Sequence, residues 1–220
     1  MNKDSFLQNI VRSIQNRGVF GTFKYVWYDL AFDMKYGIKT LGRTQLEGLT
    51  TKGSNVSSGH AYQGFSYLYF KEIMKHLPVK VEESTFIDFG CGKGRILIMA
   101  SEHGFNEIIG VEFIVEFYEA CMDNLNRSGI KLDKIEVLCD DAVNTSIPKQ
   151  ANVMCFFNPF EEEVMDQVLE NIDASIRDFT REVYLLNLSP TFTDCFEKRG
   201  YESIYELSNN QKLEGVIYKK

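Results

Sequence analysis

The chain has 220 residues, 44% of them hydrophobic and 25% charged, with a formal net charge of −7. That length carries a sizeable core, most simply one domain with an attached arm or cap. The acidic balance and the scattered lysines and arginines argue against nucleic acid as a partner. No apolar run is long enough to cross a bilayer, and the start, MNKDSFLQNIVRS, lacks the cationic-then-apolar order of a signal peptide, so a cytoplasmic location is expected.

In chain order, Phe6, Ile10 and Ile14 mark one amphipathic helix, and Phe23, Val26, Trp27 and Leu30 a second, whose aromatic side is expected to pack on the core rather than face a membrane. Residues 37–64, rich in Gly, Ser and Thr, read as a long loop of the kind that is often mobile or functional. Phe65, Tyr69, Ile73 and Leu77 form an i,i+4 stripe ahead of Pro78. These first 80 residues are read as a helical extension or cap over an active site, and residues 81–220 as a catalytic domain.

From Ser84 onward short apolar runs alternate with helical patterns. Strands are expected over 85–89, 107–112, 135–138, 153–157 and 183–188. Helices are expected over 94–103 and 114–127, and through Val164, Met165, Val168, Leu169 and Ile172. Strands separated in this way imply βαβ units. Burial on both faces explains why IIGV, VMCFF and VYLLNL are almost continuously apolar. After a short helical stretch near Thr193–Lys198, strands over 203–207 and 213–218 flank Ser208-Asn209-Asn210-Gln211 and form a closing hairpin. The expected fold is α/β: a Rossmann-like, seven-stranded, mostly parallel sheet with a C-terminal antiparallel hairpin and helices on both faces.

Five cysteines (Cys91, Cys121, Cys139, Cys155 and Cys195) lie far apart in odd number, which argues against a disulfide framework or a CxxC metal site. His60, His76 and His103 show no metal-ligand spacing, and no metal site is expected.

The segment Phe86-Ile87-Asp88-Phe89-Gly90-Cys91-Gly92-Lys93-Gly94-Arg95 carries the chemistry. An apolar strand holding Asp88 runs into glycines at 90, 92 and 94, just before a helix. Glycine allows the tight turn and lets backbone approach a ligand without an intervening side chain. Open α/β sheets bind ligands beyond the carboxyl ends of their strands, where this loop falls. Glu112, 22 residues after Gly90, closes the second strand and can accept hydrogen bonds from ribose hydroxyls. Asp141, with Asp140 as a near-equal alternative, ends the third strand and is placed to meet an adenine amino group. Asp88 organises the loop or faces the ligand's amino-acid end.

These features resemble the class I S-adenosylmethionine-dependent methyltransferase family, over about residues 84–220. The matching segments are FIDFGCGKGR, the acid of IIGVE, CDDA and VMCFFNPF, together with the closing hairpin. The resemblance implies S-adenosyl-L-methionine as cofactor, held by the loop of Asp88, Gly90, Cys91, Gly92 and Gly94, by Glu112 and by Asp140 or Asp141. Dehydrogenases favour GxGxxG, whereas the spacing here is GxGxG and position 95 is Arg. The Asn158-Pro159-Phe160 segment is similar to the Asn/Asp-Pro-Pro-aromatic motif of amino-methylating members, with Phe160 directly after Pro159. The resemblance gives Asn158 a place beside both cofactor and acceptor, Phe160 a packing role, and nitrogen as the favoured methyl acceptor, in a protein side chain or small amine. Methylation of oxygen or of a nucleic-acid base is the alternative, with nicotinamide chemistry or silent binding behind it. Tyr36 and Tyr62 are candidate lid or pocket residues, and His60 reads as a surface loop residue before it reads as a base.

Overall fold

The structure, a computed structural model, describes residues 3–44, 48–52, 62–210 and 212–220, with side chains from residue 18 onward. Helix α1 (Lys3–Tyr36) is two helical segments joined at a kink at Gly18, whose φ of 69° and ψ of 170° leave the helical region, as the two stripes of the sequence imply. It is followed by the two-residue strands β1 (Arg43–Thr44) and β2 (Tyr62–Gln63), which pair antiparallel, and by α2 (Tyr67–Met74). The expected loop is therefore fastened at both ends. His60 lies outside the described residues.

The sheet proper comprises β3 (Thr85–Phe89), β4 (Glu107–Val111), β5 (Ile135–Leu138), β6 (Ala151–Phe156), β7 (Tyr184–Leu188), β8 (Glu202–Asn209) and β9 (Lys212–Lys219). Its order is β5-β4-β3-β6-β7-β9-β8. The first five strands are parallel, and β9 runs antiparallel between β7 and β8. The connecting helices are α3 (Arg95–His103), α4 (Val115–Ser128), α5 (Glu162–Asp178) and α6 (Asp194–Lys198). This is the expected seven-stranded Rossmann-like architecture.

Alternation along β3 sorts the core into two layers. Phe86 belongs to the layer built from α2, α3 and α4, and Ile87 and Phe89 to the layer under α5 and α6. Phe32 and Ile38 join Phe65, Phe70 and Ile73 in the same cluster as Phe86, Leu97 and Ile217. The N-terminal region therefore shares the core of the sheet.

Phe23, Val26, Trp27 and Leu30 do not face that core: Trp27 is 60% exposed and Phe23 69%. The inner side of α1 is polar instead. Thr22, Asp29 and Asp33 are buried there beside Phe32, and Arg95 explains why. Arg95, in the first turn of α3, is 2% exposed. Its guanidinium donates to Asp29 Oδ1 at 2.9 Å, to Asp33 Oδ1, to Thr40 Oγ1 at 2.8 Å and to the Phe65 carbonyl at 2.8 Å. The ring of Phe32 lies 4.8 Å from the guanidinium carbon. A cation at a helix N-terminus opposes the helix dipole, and a buried one needs compensating charge. Asp29 and Asp33 supply it, so helical periodicity was read correctly while its inward face was not.

Removing one side of a buried ion-pair cluster strands the other charge. Arg95→Leu is therefore expected to lower stability to urea by about 3–5 kcal/mol. Arg95→Lys, which keeps the charge but not the planar fork, should fall between that variant and the parent. Unchanged urea midpoints for both would show that the cluster does not hold α1 in place.

Candidate active site

The parallel strands end along one edge, and a cleft of about 340 Å³ opens there. Its floor is the loop from Gly90 to Gly94. The Gly90 and Cys91 N–H groups both donate to the Val111 carbonyl, at 2.8 and 3.0 Å, which ties the loop to the neighbouring strand. Gly90 (φ 75°) and Gly92 (φ 54°) are left-handed, and neither has room for a side chain. A Cβ on Gly90 would come within 2.5 Å of Pro159, and one on Gly92 within 2.6 Å of the Tyr62 ring. At Gly94, which precedes α3, the Cys121 sulfur would lie 2.6 Å away. The loop is thus clamped from three sides by Pro159, Tyr62 and Cys121.

Glu112 follows β4 and is 3% exposed in the cleft wall. Its Oε2 accepts from the Gly92 N–H and its Oε1 from the Ile114 N–H, each at 2.8 Å. The carboxylate therefore braces the glycine loop. The Phe113 N–H also faces the carboxylate, which with about four acceptor positions keeps capacity for a further donor such as a hydroxyl. Burial raises its pKa to about 7, with the backbone N–H donors opposing.

After β5, Asp140 and Asp141 both line the cleft. Asp140 is exposed, and its Oδ1 accepts from the Asp141 N–H at 2.7 Å. Asp141 is buried and caps the turn at Ala142–Asn144, accepting from the Val143 N–H at 3.2 Å. Asp88 lies beneath the loop, 1% exposed, and is not part of the cleft wall. Apart from an interaction with the Cys155 thiol, its oxygens have no hydrogen-bond partner among the described residues. Burial, reinforced by the Glu112 charge, pushes its pKa up to about 8.

Beyond β6 the wall is Phe157, Asn158, Pro159 and Phe160. Asn158 is left-handed (φ 44°), and its Oδ1 accepts from the Thr191 hydroxyl at 2.6 Å. Phe160 is buried in the core, edge-on to Phe156 at 6.5 Å, while still touching the cleft. Ser189, after β7, is also left-handed (φ 46°) and lines the same end. Two non-glycine residues in this conformation, at the ends of adjacent strands, mark backbone held by its surroundings. Each precedes a proline, Asn158-Pro159 and Ser189-Pro190, and that repetition is the sequence signal that identifies Ser189.

Tyr62 reaches the cleft, donates its hydroxyl to the Thr40 carbonyl at 2.7 Å, and stacks over Gly92 beneath the Lys93 ammonium, 4.7 Å from the ring centre. Tyr36 does not reach it: its ring packs on Phe32 at 5.0 Å, beside Lys35, because the helix turns that position toward the shared core. Arg43 and Lys212 line the cleft as well, and sequence reasoning passed over both.

A model of the methyltransferase domain family matches residues 86–199, more than half of the chain. The chain belongs to the methyltransferase domain family. It is 24% identical over 168 residues to ribosomal protein L11 methyltransferase of Agathobacter rectalis, covering 73% of this chain and 46% of that protein. It is 42% identical over 53 residues to the protein of the same name from Vibrio parahaemolyticus, covering 24% of this chain and 18% of that one. The chain thus spans less than half the length of these relatives. Among solved structures, a SAM-dependent methyltransferase from Aquifex aeolicus superposes with a TM-score of 0.54 at 16% identity, over 68% of this chain and 88% of that one. An RNA methyltransferase from Salinibacter ruber, in complex with S-adenosyl-L-homocysteine, gives 0.52 at 16%, over 70% and 89%.

Methyltransferase domains of this fold thus include RNA methyltransferases, with further candidates of that kind among the similar structures. The expectation against a nucleic-acid partner is corrected accordingly. Net charge describes the whole surface, whereas substrate choice is made by the groups around one cleft.

S-adenosylmethionine is the cofactor, and the residues fit it. The glycine cradle would be filled by any Cβ, and acceptors stand at the ends of β4 and β5. Asp88 is an orphaned carboxyl below the cradle.

Asp88 and Glu112 hold protons more tightly in the folded protein than in the unfolded chain. Their contribution to stability is therefore complete near pH 4 and lost as pH rises through 7 to 8. Urea midpoints of the ligand-free protein should fall between pH 5 and pH 9, and Asp88→Asn should flatten the loss above pH 7. A loss of the same steepness in that variant would contradict the assignment. Glu112→Ala should weaken S-adenosylhomocysteine binding roughly a hundredfold by calorimetry, two charge-assisted hydrogen bonds being removed. Full affinity would remove Glu112 from the site.

Proposed function

We propose that the chain transfers the methyl group of S-adenosylmethionine to a nitrogen, in a protein side chain or a small amine. The observation that carries this reading is Asn158, held left-handed beside the glycine loop with its amide oriented by Thr191. Bound S-adenosylmethionine supplies an electrophilic sulfonium methyl, whose transfer to an amine nitrogen breaks the carbon–sulfur bond, leaves a thioether and releases one proton. The protein's task is alignment and exclusion of water.

In this reading the side-chain-free backbone of the glycine loop leaves room for the amino-acid portion, Glu112 fixes the nucleoside, and Asp140 or Asp141 accepts from the adenine amino group. Asn158 Oδ1 accepts an N–H of the acceptor and turns its lone pair toward the methyl. Pro159 packs on Gly90, which ties the segment bearing Asn158 to the glycine loop, so donor and acceptor subsites are fixed to each other. Residues 1–80 act as the cap, since Arg43, Tyr62 and Phe65 contribute to the cleft wall, and residues 81–220 as the catalytic domain. The reaction belongs in the cytoplasm.

A base nitrogen of RNA is the second reading, favoured by Arg43, whose charge would meet phosphate at the cleft, while Lys212 at the same cleft is paired with Glu214 at 3.2 Å.

Incubation with tritiated S-adenosylmethionine and fractionated cell extract tests these readings. Label in protein or small amines supports the first, and label in RNA the second. Asn158→Ala should lower kcat about a hundredfold while leaving S-adenosylhomocysteine affinity within about threefold, as expected of a group that acts on the acceptor. Label recovered as carboxyl methyl esters or as methyl ethers of hydroxyls, or an active Asn158→Ala enzyme, would contradict nitrogen transfer through Asn158.

A further inference from the structure

From Gly18 to Tyr36, α1 is turned inside out. Its buried positions include Thr22, Asp29 and Asp33, while Phe20, Phe23, Trp27, Leu30 and Met34 face outward, Phe20 at 92% and Met34 at 80% exposure. Their spacing of three and four residues places them on one stripe. Phe23 and Trp27 stack with ring centres 6.4 Å apart, so the stripe is continuous rather than a scatter of single side chains. An exposed apolar stripe of this extent marks a contact surface.

The charge around the stripe indicates what it contacts. The sequence of α1 carries Lys3, Arg12, Arg17, Lys24 and Lys35 against Asp4, Asp29 and Asp33. Asp29 and Asp33 are turned inward onto Arg95, and Lys35 pairs with Glu102 at 2.8 Å. Among the residues described with side chains, no exposed carboxylate lies on this helix, and Lys24 stands in solvent beside Tyr28. A chain of net charge −7 has thus gathered cations along one aromatic helix. A second copy would set cation against cation, whereas anionic headgroups complement both features. Phenylalanine and tryptophan seat at the boundary between headgroups and acyl chains, and lysine and arginine meet the phosphates. No helix among the described residues is long and apolar enough to cross a membrane, so this helix would lie on the surface.

We propose that α1 seats its outer face in the surface of a bilayer containing anionic lipid, holding the methyltransferase domain there. Trp27 is the only tryptophan, so its emission reports on the stripe directly. The full chain is mixed with vesicles of phosphatidylcholine alone or of phosphatidylcholine with phosphatidylglycerol, and fluorescence and co-sedimentation are read together. A blue shift with sedimentation on the phosphatidylglycerol vesicles, weakening with salt and absent on phosphatidylcholine alone, is expected. Phe20→Ser with Phe23→Ser should reduce partitioning about tenfold or more, and Lys24→Glu about fivefold. Both variants should keep their S-adenosylhomocysteine affinity. No shift on anionic vesicles would overturn the proposal. So would an emission that shifts with protein concentration in their absence, which would assign the stripe to a second copy. An equal shift on adding an RNA oligonucleotide in place of vesicles would likewise overturn it, in favour of nucleic acid.

Discussion

A single buried guanidinium connects the two halves of this chain. Arg95 stands where the glycine loop becomes a helix, and it draws in Asp29, Asp33, Thr40 and the Phe65 carbonyl from the N-terminal region. The connection continues toward the cofactor site. Thr40 donates its N–H to Asp33 and its carbonyl accepts from Tyr62, whose ring covers Gly92, whose N–H is held by Glu112. The glycine loop and the N-terminal region are thus parts of one polar network. The residues that shape the floor of the cleft also decide where its N-terminal wall stands.

The same constraint accounts for the orientation of α1. Two carboxylates on one side of a helix would ordinarily face water, and its aromatic residues would face the core. Here the buried cation makes the reverse arrangement stable, because burying Asp29 and Asp33 satisfies Arg95. The exposed aromatic stripe is the consequence, and it gives the chain a second surface with chemistry of its own, remote in character from the cleft.

The sheet was legible in the sequence because strands buried on both faces leave almost unbroken apolar runs, as in VMCFF and VYLLNL, and their boundaries fall within a residue or two of those runs. The glycine loop was legible because tight turns and close contacts have few substitutes for glycine, and Glu112 because its distance from that loop follows from one βαβ unit. The facing of α1 was not: periodicity locates a stripe but not the side on which the core lies, and the deciding partner, Arg95, is more than 60 residues away from Asp29 and Asp33. Tyr36 and Tyr62 show the same limit. Both are tyrosines in a glycine-bearing lead-in, yet only Tyr62 lies on the strand that returns over Gly92. Part of the cleft wall stayed hidden because Ser189, Arg43 and Lys212 reach it through tertiary placement rather than through a local motif.

We propose that the loop clamped by Pro159, Tyr62 and Cys121 takes S-adenosylmethionine, with its nucleoside anchored at Glu112. Parallel calorimetric titrations of the whole chain with S-adenosylhomocysteine and with NADH test it most directly. Saturable one-to-one binding of S-adenosylhomocysteine and none of NADH are expected. Tight binding of NADH, or no heat with S-adenosylhomocysteine, would contradict it.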